Sequence, residues 1–403
     1  MHTGQQWISG TRIGAARAAL ALMAVLVLGL DGPQPAQARG LTVLYNFGGS
    51  SDGGDPFASL IRDSAGNLYG TADYGGTAFA GAVFKVAPNG TETVLYSFSG
   101  GADGAQPFSA LVRDKAGNLY GTTTMGGSAN AGVVFKLDPG GTETVLHNFT
   151  GGTDGTTPTG GLLEDRAGRF YGTASQGGTS NAGVLFKIGA TGKYSILHTF
   201  TGGTNDGKYP TYTSLLMDSS GTLYGVTEEG GAANGGILYK FSTGKLTILH
   251  SFMGGTTDGC NVLGVPFMDG NGNFYGTTSS CGTSSLGTVW KVSANGNETV
   301  LHSFAGGTTD GEYPLAGVIV DPGGDVYGNT ETGGASNVGT VYGISANGTF
   351  TLVHSFDGTD GKYPYGSFVR SARGTLFGTT QNGGTIGYGT VWKMRKVSAR
   401  QGE

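Results

Sequence analysis

Cysteine is nearly missing from this chain: its 403 residues include only Cys260 and Cys281. A small disulfide-framework protein would need a denser set, and no zinc-finger spacing of Cys and His is present. Basic residues are scarce as well. Lys and Arg total 23 against 28 Asp and Glu, a net charge of −5, and no basic cluster occurs, which argues against a nucleic-acid surface. Charged residues are only 13% of the chain, so its solvent faces must rely on Thr, Ser, Asn and Gly. Proline, at 12 residues, is too rare for a collagen-like chain, even beside 80 glycines. Beyond residue 38 there is no helical spacing of apolar residues and no run long enough to span a membrane. Enzyme signatures are thin too, with no nucleophile elbow, phosphate-binding loop or zinc-binding His pair.

The start of the chain is different in kind. Arg12 and Arg17 precede an apolar stretch at residues 18–30, and Ala36-Gln37-Ala38 forms a small-x-small site. This is the pattern of a secretory signal, cleaved after Ala38. The stretch is shorter than the roughly 20 residues of a membrane span. The expected division is a signal peptide at 1–38, a repeat domain at 39–396 and a loose tail at 397–403.

Repetition dominates the rest. The aromatic that closes each "VLxxF" run recurs as Phe47, Phe98, Phe149, Phe200, Phe252, Phe304 and Phe356, with gaps of 51, 51, 51, 52, 52 and 52 residues. Each unit holds four short alternating segments separated by Gly, Asp or Pro; in the second unit they are residues 108–114, 118–123, 132–137 and 143–149. That alternation belongs to strands, and four strands in about 50 residues make a propeller blade. The fold expected is all-β: a seven-bladed β-propeller of four-stranded antiparallel blades. The chain opens with an outer-type strand and ends with a third-type strand. Residues 42–47 should therefore pair with residues 389–394 and close the ring, removing its exposed edges.

Glycine and aspartate are turn chemistry here. Asp-x-x-Gly joins the first and second strands in six units, at Asp63, Asp114, Asp165, Asp218, Asp269 and Asp321, with Ser371 in the seventh. Gly70, Gly121, Gly172, Gly225, Gly276, Gly328 and Gly378 share one slot in the second strand, where a close approach is needed, expected from a neighbouring blade's aromatic. Phe84, Phe135, Phe186, Tyr239, Trp290, Tyr342 and Trp392 form the matching stripe, read as core between blades.

The segment "LYGTT..GG..NAGVVFKL" and its register resemble the GloVer tandem-repeat family, over residues 41–394. The resemblance implies an exported bacterial protein, whose members often carry C-terminal sorting tails. This chain ends "KVSARQGE", without a hydrophobic tail or sorting motif, so release, a periplasmic address and surface anchoring all stay open.

Several residue sets could carry function. His147, His198, His250, His302 and His354 stand two residues before the marker Phe, a slot that Tyr45 and Tyr96 fill elsewhere, and they are read as structural. One per blade spaces them too widely to share a metal among themselves. Cys260 and Cys281 fall in loops on one face of the fifth blade, where an oxidising compartment would join them as a disulfide. Asp52, Asp103, Asp154, Asp206, Asp258, Asp310 and Asp360 precede Gly in the loop before each first strand, and are expected on one face around the axis. They read first as self-capping turns, with calcium binding as the alternative. In the same loops Tyr209, Tyr313 and Tyr363 sit just before proline, beside Lys208, Glu312 and Lys362, as a candidate binding surface. Arg62, Arg113, Arg166, Arg169, Arg370 and Arg373 lie near the opposite-face turns, away from a sialidase-like cluster.

These features point to an exported, monomeric, non-catalytic module that binds an extracellular polysaccharide or surface protein and requires no cofactor. A carbohydrate-active enzyme using loop-face carboxylates is the first alternative, and a structural envelope component the second. An asymmetric cluster of acids and aromatics at the channel mouth would favour the enzyme.

Overall fold

The computed structural model describes residues 40–212 and 214–395. The expected signal peptide and C-terminal tail lie outside the described residues. Within them, seven four-stranded antiparallel sheets follow one another around a ring. In the first blade the strands run Ile61–Arg62, Leu68–Ala72, Ala82–Val86 and Glu92–Ser97, from the inner edge outwards. The protein is a seven-bladed β-propeller.

Closure follows the strand count. Leu41–Asn46 is the outer strand of the seventh blade and pairs antiparallel with Thr390–Met394. On the inner side the first and seventh blades are joined again, because Thr379 Oγ1 donates to Ala58 O at 3.2 Å and Ser367 N donates to Ser59 Oγ at 2.8 Å.

The inner strands are shorter than the sequence implies. The second blade's ladder covers only Val112–Arg113, where an apolar run from residue 108 suggested more. The reason is that neighbouring blades take the remaining backbone groups. Thr71, Thr122, Thr173, Thr277 and Thr379 each donate from a second strand to a carbonyl of the next blade's inner segment, and Asn329 does so through Nδ2. The fourth blade has Val226 in this slot, and the fifth blade compensates with a longer inner strand, Gly259–Met268.

Packing between blades is apolar. Phe84, Phe135 and Phe186 are fully buried, and each clusters with side chains of the preceding blade. The second-strand glycine has a different partner from the one expected. A Cβ at Gly121 would lie 2.7 Å from Phe135 Cζ, on the same blade's third strand, because Gly121 and Phe135 are cross-strand partners. The aromatic folds over its own sheet and there meets the preceding blade.

The Asp-x-x-Gly turns cap themselves. Asp63 accepts hydrogen bonds from the backbone N–H and side-chain amide of Asn67, both at 2.8 Å, and from Tyr69 Oη at 3.0 Å. Ser371 serves the same purpose through its hydroxyl, which accepts from Thr375 N at 3.0 Å. Among the described residues, no helix is long and apolar enough to cross a membrane.

Candidate functional site

The seven loop aspartates do not ring the axis. Six of them pair with the outermost strand that precedes the loop, and Asp258 lies beside His250 of that strand, which places all seven on the periphery. Tyr45 Oη donates to Asp52 at 2.8 Å and Tyr96 Oη to Asp103 at 3.0 Å. The ring nitrogen of His198 lies 3.0 Å from Asp206, that of His302 3.1 Å from Asp310, that of His354 2.7 Å from Asp360, and that of His147 3.3 Å from Asp154. Each carboxylate also accepts from its own loop: Gly48 N reaches Asp52 at 2.6 Å and Met253 N reaches Asp258 at 2.6 Å. The exchange of Tyr and His in the outer strand thus has a simple cause. Either residue can supply a donor to the capping aspartate, as Tyr45, Tyr96, His198, His302 and His354 do.

Cys260 and Cys281 form a disulfide, with Cα atoms 5.4 Å apart. The sequence implies loops here, but the fifth blade's first two strands extend to include both cysteines, at Gly259–Met268 and Phe274–Cys281, so the disulfide staples the paired ends of those strands.

Nearer the axis, another residue recurs in every blade. Asp55, Gln106, Thr157, Tyr209, Asn261, Tyr313 and Tyr363 all have left-handed backbone, with φ between 50° and 59°. A side chain in this region is strained, and such strain persists only where the surroundings enforce it. Here hydrogen bonds from two blades do so. Tyr313 N donates to Leu286 O of the preceding blade at 3.0 Å, and Tyr313 O accepts from Glu331 N at 3.0 Å. Tyr209 and Tyr363 are held in the same way, through Ala182 and Glu228, and through Val338 and Gln381. The three tyrosines predicted as a binding surface therefore belong to a seven-membered ring of one geometry and varied side chains. Their flanking residues are partly committed. Lys208 Nζ pairs with Glu229 at 2.9 Å and lies 4.1 Å above the Tyr209 ring, and Glu312 accepts from Gly307 N at 3.3 Å. Lys362 packs its chain against Gly358.

The mouth of the axial channel holds what the sequence reading missed. A cavity of about 270 Å³ is lined by residues of all seven blades, which puts it on the ring axis. Four aromatics converge there. Phe57 stacks on Tyr365, with ring centroids 4.2 Å apart, and lies 3.8 Å from Phe108. Tyr212 crosses from the fourth blade to both, at 5.7 Å from Phe57 and 5.3 Å from Phe108. It can reach because the segment from Pro210 to Asp218 is one residue longer than the segment from Pro56 to Asp63 (8 against 7 positions). Tyr212 also adopts left-handed backbone, and its N–H donates to Thr159 Oγ1 at 3.1 Å. That extra residue was the sequence signal available for it.

Carboxylates surround this aromatic cluster unevenly. Three positions after the second-strand glycine stand Asp73, Thr124, Ser175, Glu228, Ser279, Glu331 and Gln381 in blades one to seven, so acids occupy three of the seven places. Tyr365 Oη donates to Glu331 Oε1. Burial pushes the Asp73 carboxyl up to about 6, with Asp55 adding to the shift, and Asp73 Oδ1 is buried without a hydrogen-bond partner. Burial likewise raises Asp55 and Glu228. Burial raises the Tyr212 phenol, helped by the charges of Glu228 and Asp73, so both carboxylates lie near it. The arrangement combines an apolar floor, a polar rim and an unsatisfied acceptor.

Sequence and structure comparisons agree with this fold. The profile of the Gloeobacter/Verrucomicrobia repeat matches residues 34–239 and 211–401, nearly the whole repeat region. The chain belongs to that family. No curated protein matches its sequence. Similar solved structures include virginiamycin B lyase from Staphylococcus aureus, at 12% identity and a TM-score of 0.55, covering 86% of this GloVer-repeat chain and 96% of the lyase. A streptogramin B lyase matches at 13% identity and a TM-score of 0.56, over 88% of this chain and 97% of its own. The extracellular domain of a hybrid two-component system protein from B. thetaiotaomicron matches at 11% identity and a TM-score of 0.58, over 90% of this chain and 40% of that one. Identities this low establish a shared fold alone.

Proposed function

We propose that this GloVer-repeat chain is an exported, non-catalytic propeller that binds a carbohydrate at the mouth of its axial channel. The observation that carries the reading is the bridge made by Tyr212 across the axis onto Phe57 and Phe108, beside Tyr365. Flat aromatic faces suit the apolar C–H face of a sugar ring, and the carboxylates and phenols around them suit its hydroxyls. Size favours a glycan over a protein partner. A cavity of about 270 Å³ holds one or two sugar rings, whereas a stable protein interface buries about 800 Å² per partner. The variable ring of left-handed residues, including Tyr313 and Tyr363, would contact the flanking sugars. Lys208, Glu312 and Lys362 lie outside that ring and contribute less. Because the peripheral aspartates already have donors, binding in this reading is independent of calcium.

The test is a polysaccharide panel probed with the full chain and with Tyr212→Ala, each with calcium and with chelator. Retention of a glycan by the parent, lost in Tyr212→Ala and indifferent to chelator, supports the reading. Retention that Tyr212→Ala leaves intact contradicts it.

A second reading has one observation in its favour. Asp73, raised to about 6 and with a buried unpartnered oxygen, has the properties of a general acid or base near neutral pH. Two of the structural neighbours are lyases by name. If the chain is a carbohydrate-active lyase or hydrolase, incubation with a retained glycan should release products. The rate would then change around pH 6 and collapse in Asp73→Asn.

A further inference from the structure

The junctions between blades repeat a three-residue arrangement that the chain completes as a metal-ligand set in only one place. The first member is the donor two residues before the marker Phe, and the second is the loop aspartate. The third is the residue six positions before the next blade's marker Phe. At the first two junctions the donors are Tyr45 and Tyr96, facing Glu92 and Glu143. At two others an aromatic covers the histidine: Tyr194 stacks on His147 at 3.8 Å, and Phe350 on His302 at 3.9 Å. Leu246 and Leu41 hold the third place beside His198 and His354 in sequence register. Only between the fourth and fifth blades do His, Asp and Glu coincide, as His250, Asp258 and Glu298.

The geometry there departs from the other junctions. One ligand atom from each of the three residues lies within 4.8 Å of the others, and His250 Nε2 stands 3.7 Å from Glu298 Oε2. His198, His302 and His354 each hydrogen-bond their aspartate, whereas His147 Nε2 and His250 Nε2 are buried without a hydrogen-bond partner, as are the Oε1 atoms of Glu92, Glu143 and Glu298. Among the described residues, only this junction combines such an imidazole and such a carboxyl oxygen in one set. Buried polar atoms without a hydrogen-bond partner carry a desolvation cost that a bound cation would reduce. The loop bearing Asp258 runs straight into the stapled strand, since Cys260 lies two residues on and is bonded to Cys281. Asp258 is in addition fixed by Met253 N and Gly259 N, both at 2.6 Å. Its carboxylate is thus oriented before any ion arrives.

We propose that His250, Asp258 and Glu298 form a binding site for a zinc-class divalent cation at this single blade junction. One imidazole and two carboxylates suit a borderline ion better than calcium, which takes six to eight oxygens. Zinc lies about 2.0–2.2 Å from such ligands, so the donors need only close by about 1 Å. The side chains of His250 and Glu298 keep 16% and 12% of their exposure, so the site is not sealed from solvent, and water would be the fourth ligand. The site would tie the fourth blade to the fifth where the inter-blade threonine is replaced by Val226.

The experiment is a zinc titration of the full chain, without a histidine tag, against a weak competing chelator, followed by metal analysis. The expected result is a single zinc retained per chain. Binding should weaken about 100-fold or more in Glu298→Gln and in His250→Gln, more than the loss of an outer-shell partner. His302→Gln, the equivalent substitution where Phe350 fills the third place, should bind zinc like the parent. Retention of zinc by Glu298→Gln and His250→Gln, or of calcium but no zinc by the parent, would overturn the site. Cobalt bound to the unsubstituted chain gives a readout independent of how the variants fold. Intense visible absorption of a low-coordinate ion supports the site, and the weak spectrum of hydrated cobalt refutes it.

Discussion

Asp73 shows how one buried carboxyl makes the stability of the fold depend on pH. Folded, its carboxyl titrates near 6 rather than 3.8, because burial disfavours the charge. The folded chain therefore holds this proton more tightly than the unfolded chain. The ionised group costs the fold nothing below about pH 4, progressively more up to about pH 6, and a constant amount above it. Two pKa units set that amount at about 3 kcal/mol. Asp73→Asn should leave the thermal midpoint unchanged near pH 4 and raise it near pH 7.5. An equal shift at both pH values would show that Asp73 is not buried as a costly charge. At this scale the sequence was legible wherever a residue acts within its own repeat. Asp63 and its counterparts cap turns, and Cys260 and Cys281 pair. It was misleading for Asp52 and its six counterparts, because radial position depends on a partner in the preceding outer strand. Asp73 itself went unnoticed, since its importance comes from burial between blades and not from any local pattern.

Among the elements, the loops before the inner strands and the glycines of the second strands make opposite demands on the backbone. Tyr313 keeps a full side chain at a φ of 56°, a conformation that glycine adopts freely. If the side chain serves binding and not the fold, Tyr313→Gly should be tolerated, since relief of about 1 kcal/mol of strain offsets the entropy glycine adds to the unfolded chain. The prediction is a midpoint equivalent to within about 1 kcal/mol, with weaker glycan retention. A large loss of stability would mean that the tyrosine is there for packing. Gly276 poses the reverse case. A Cβ there would stand 2.4 Å from Trp290 Cζ2, inside a fully buried pair. Gly276→Ala should destabilise by about 1–3 kcal/mol in thermal or denaturant unfolding. A neutral result would show that the tryptophan can move aside. Strand positions and the glycine slot were readable from alternation and repeat length. The length of the inner strands was not, because side chains of the preceding blade took the hydrogen bonds that a ladder would have used. Tyr212 was signalled only by one inserted residue, and its reach across the axis is a property of the ring.

For the whole molecule, closure and asymmetry are the two features that matter. Counting strands was enough to place Leu41–Asn46 against Thr390–Met394, because seven repeats with one strand out of order leave a single gap. A chain lacking residues 40–46 should melt earlier and scatter light at concentrations where the parent stays clear, since Thr390–Met394 becomes an open edge. An unchanged midpoint would mean that the inner contacts of Thr379 and Ser367 suffice to hold the ring. Near-equal repeats impose sevenfold sameness on the frame, and the departures from it mark the functional surface. Tyr212, the three acids after the second strands and the stapled fifth blade are all such departures. The central claim is that the aromatic bridge at the axis is a sugar site. Its most direct test is a crystal structure of the full chain with an oligosaccharide retained from the panel. This account predicts a sugar ring stacked among Phe57, Tyr212 and Tyr365 at the channel mouth. A sugar bound on the outer strands or on the opposite face, with those rings unoccupied, would contradict it.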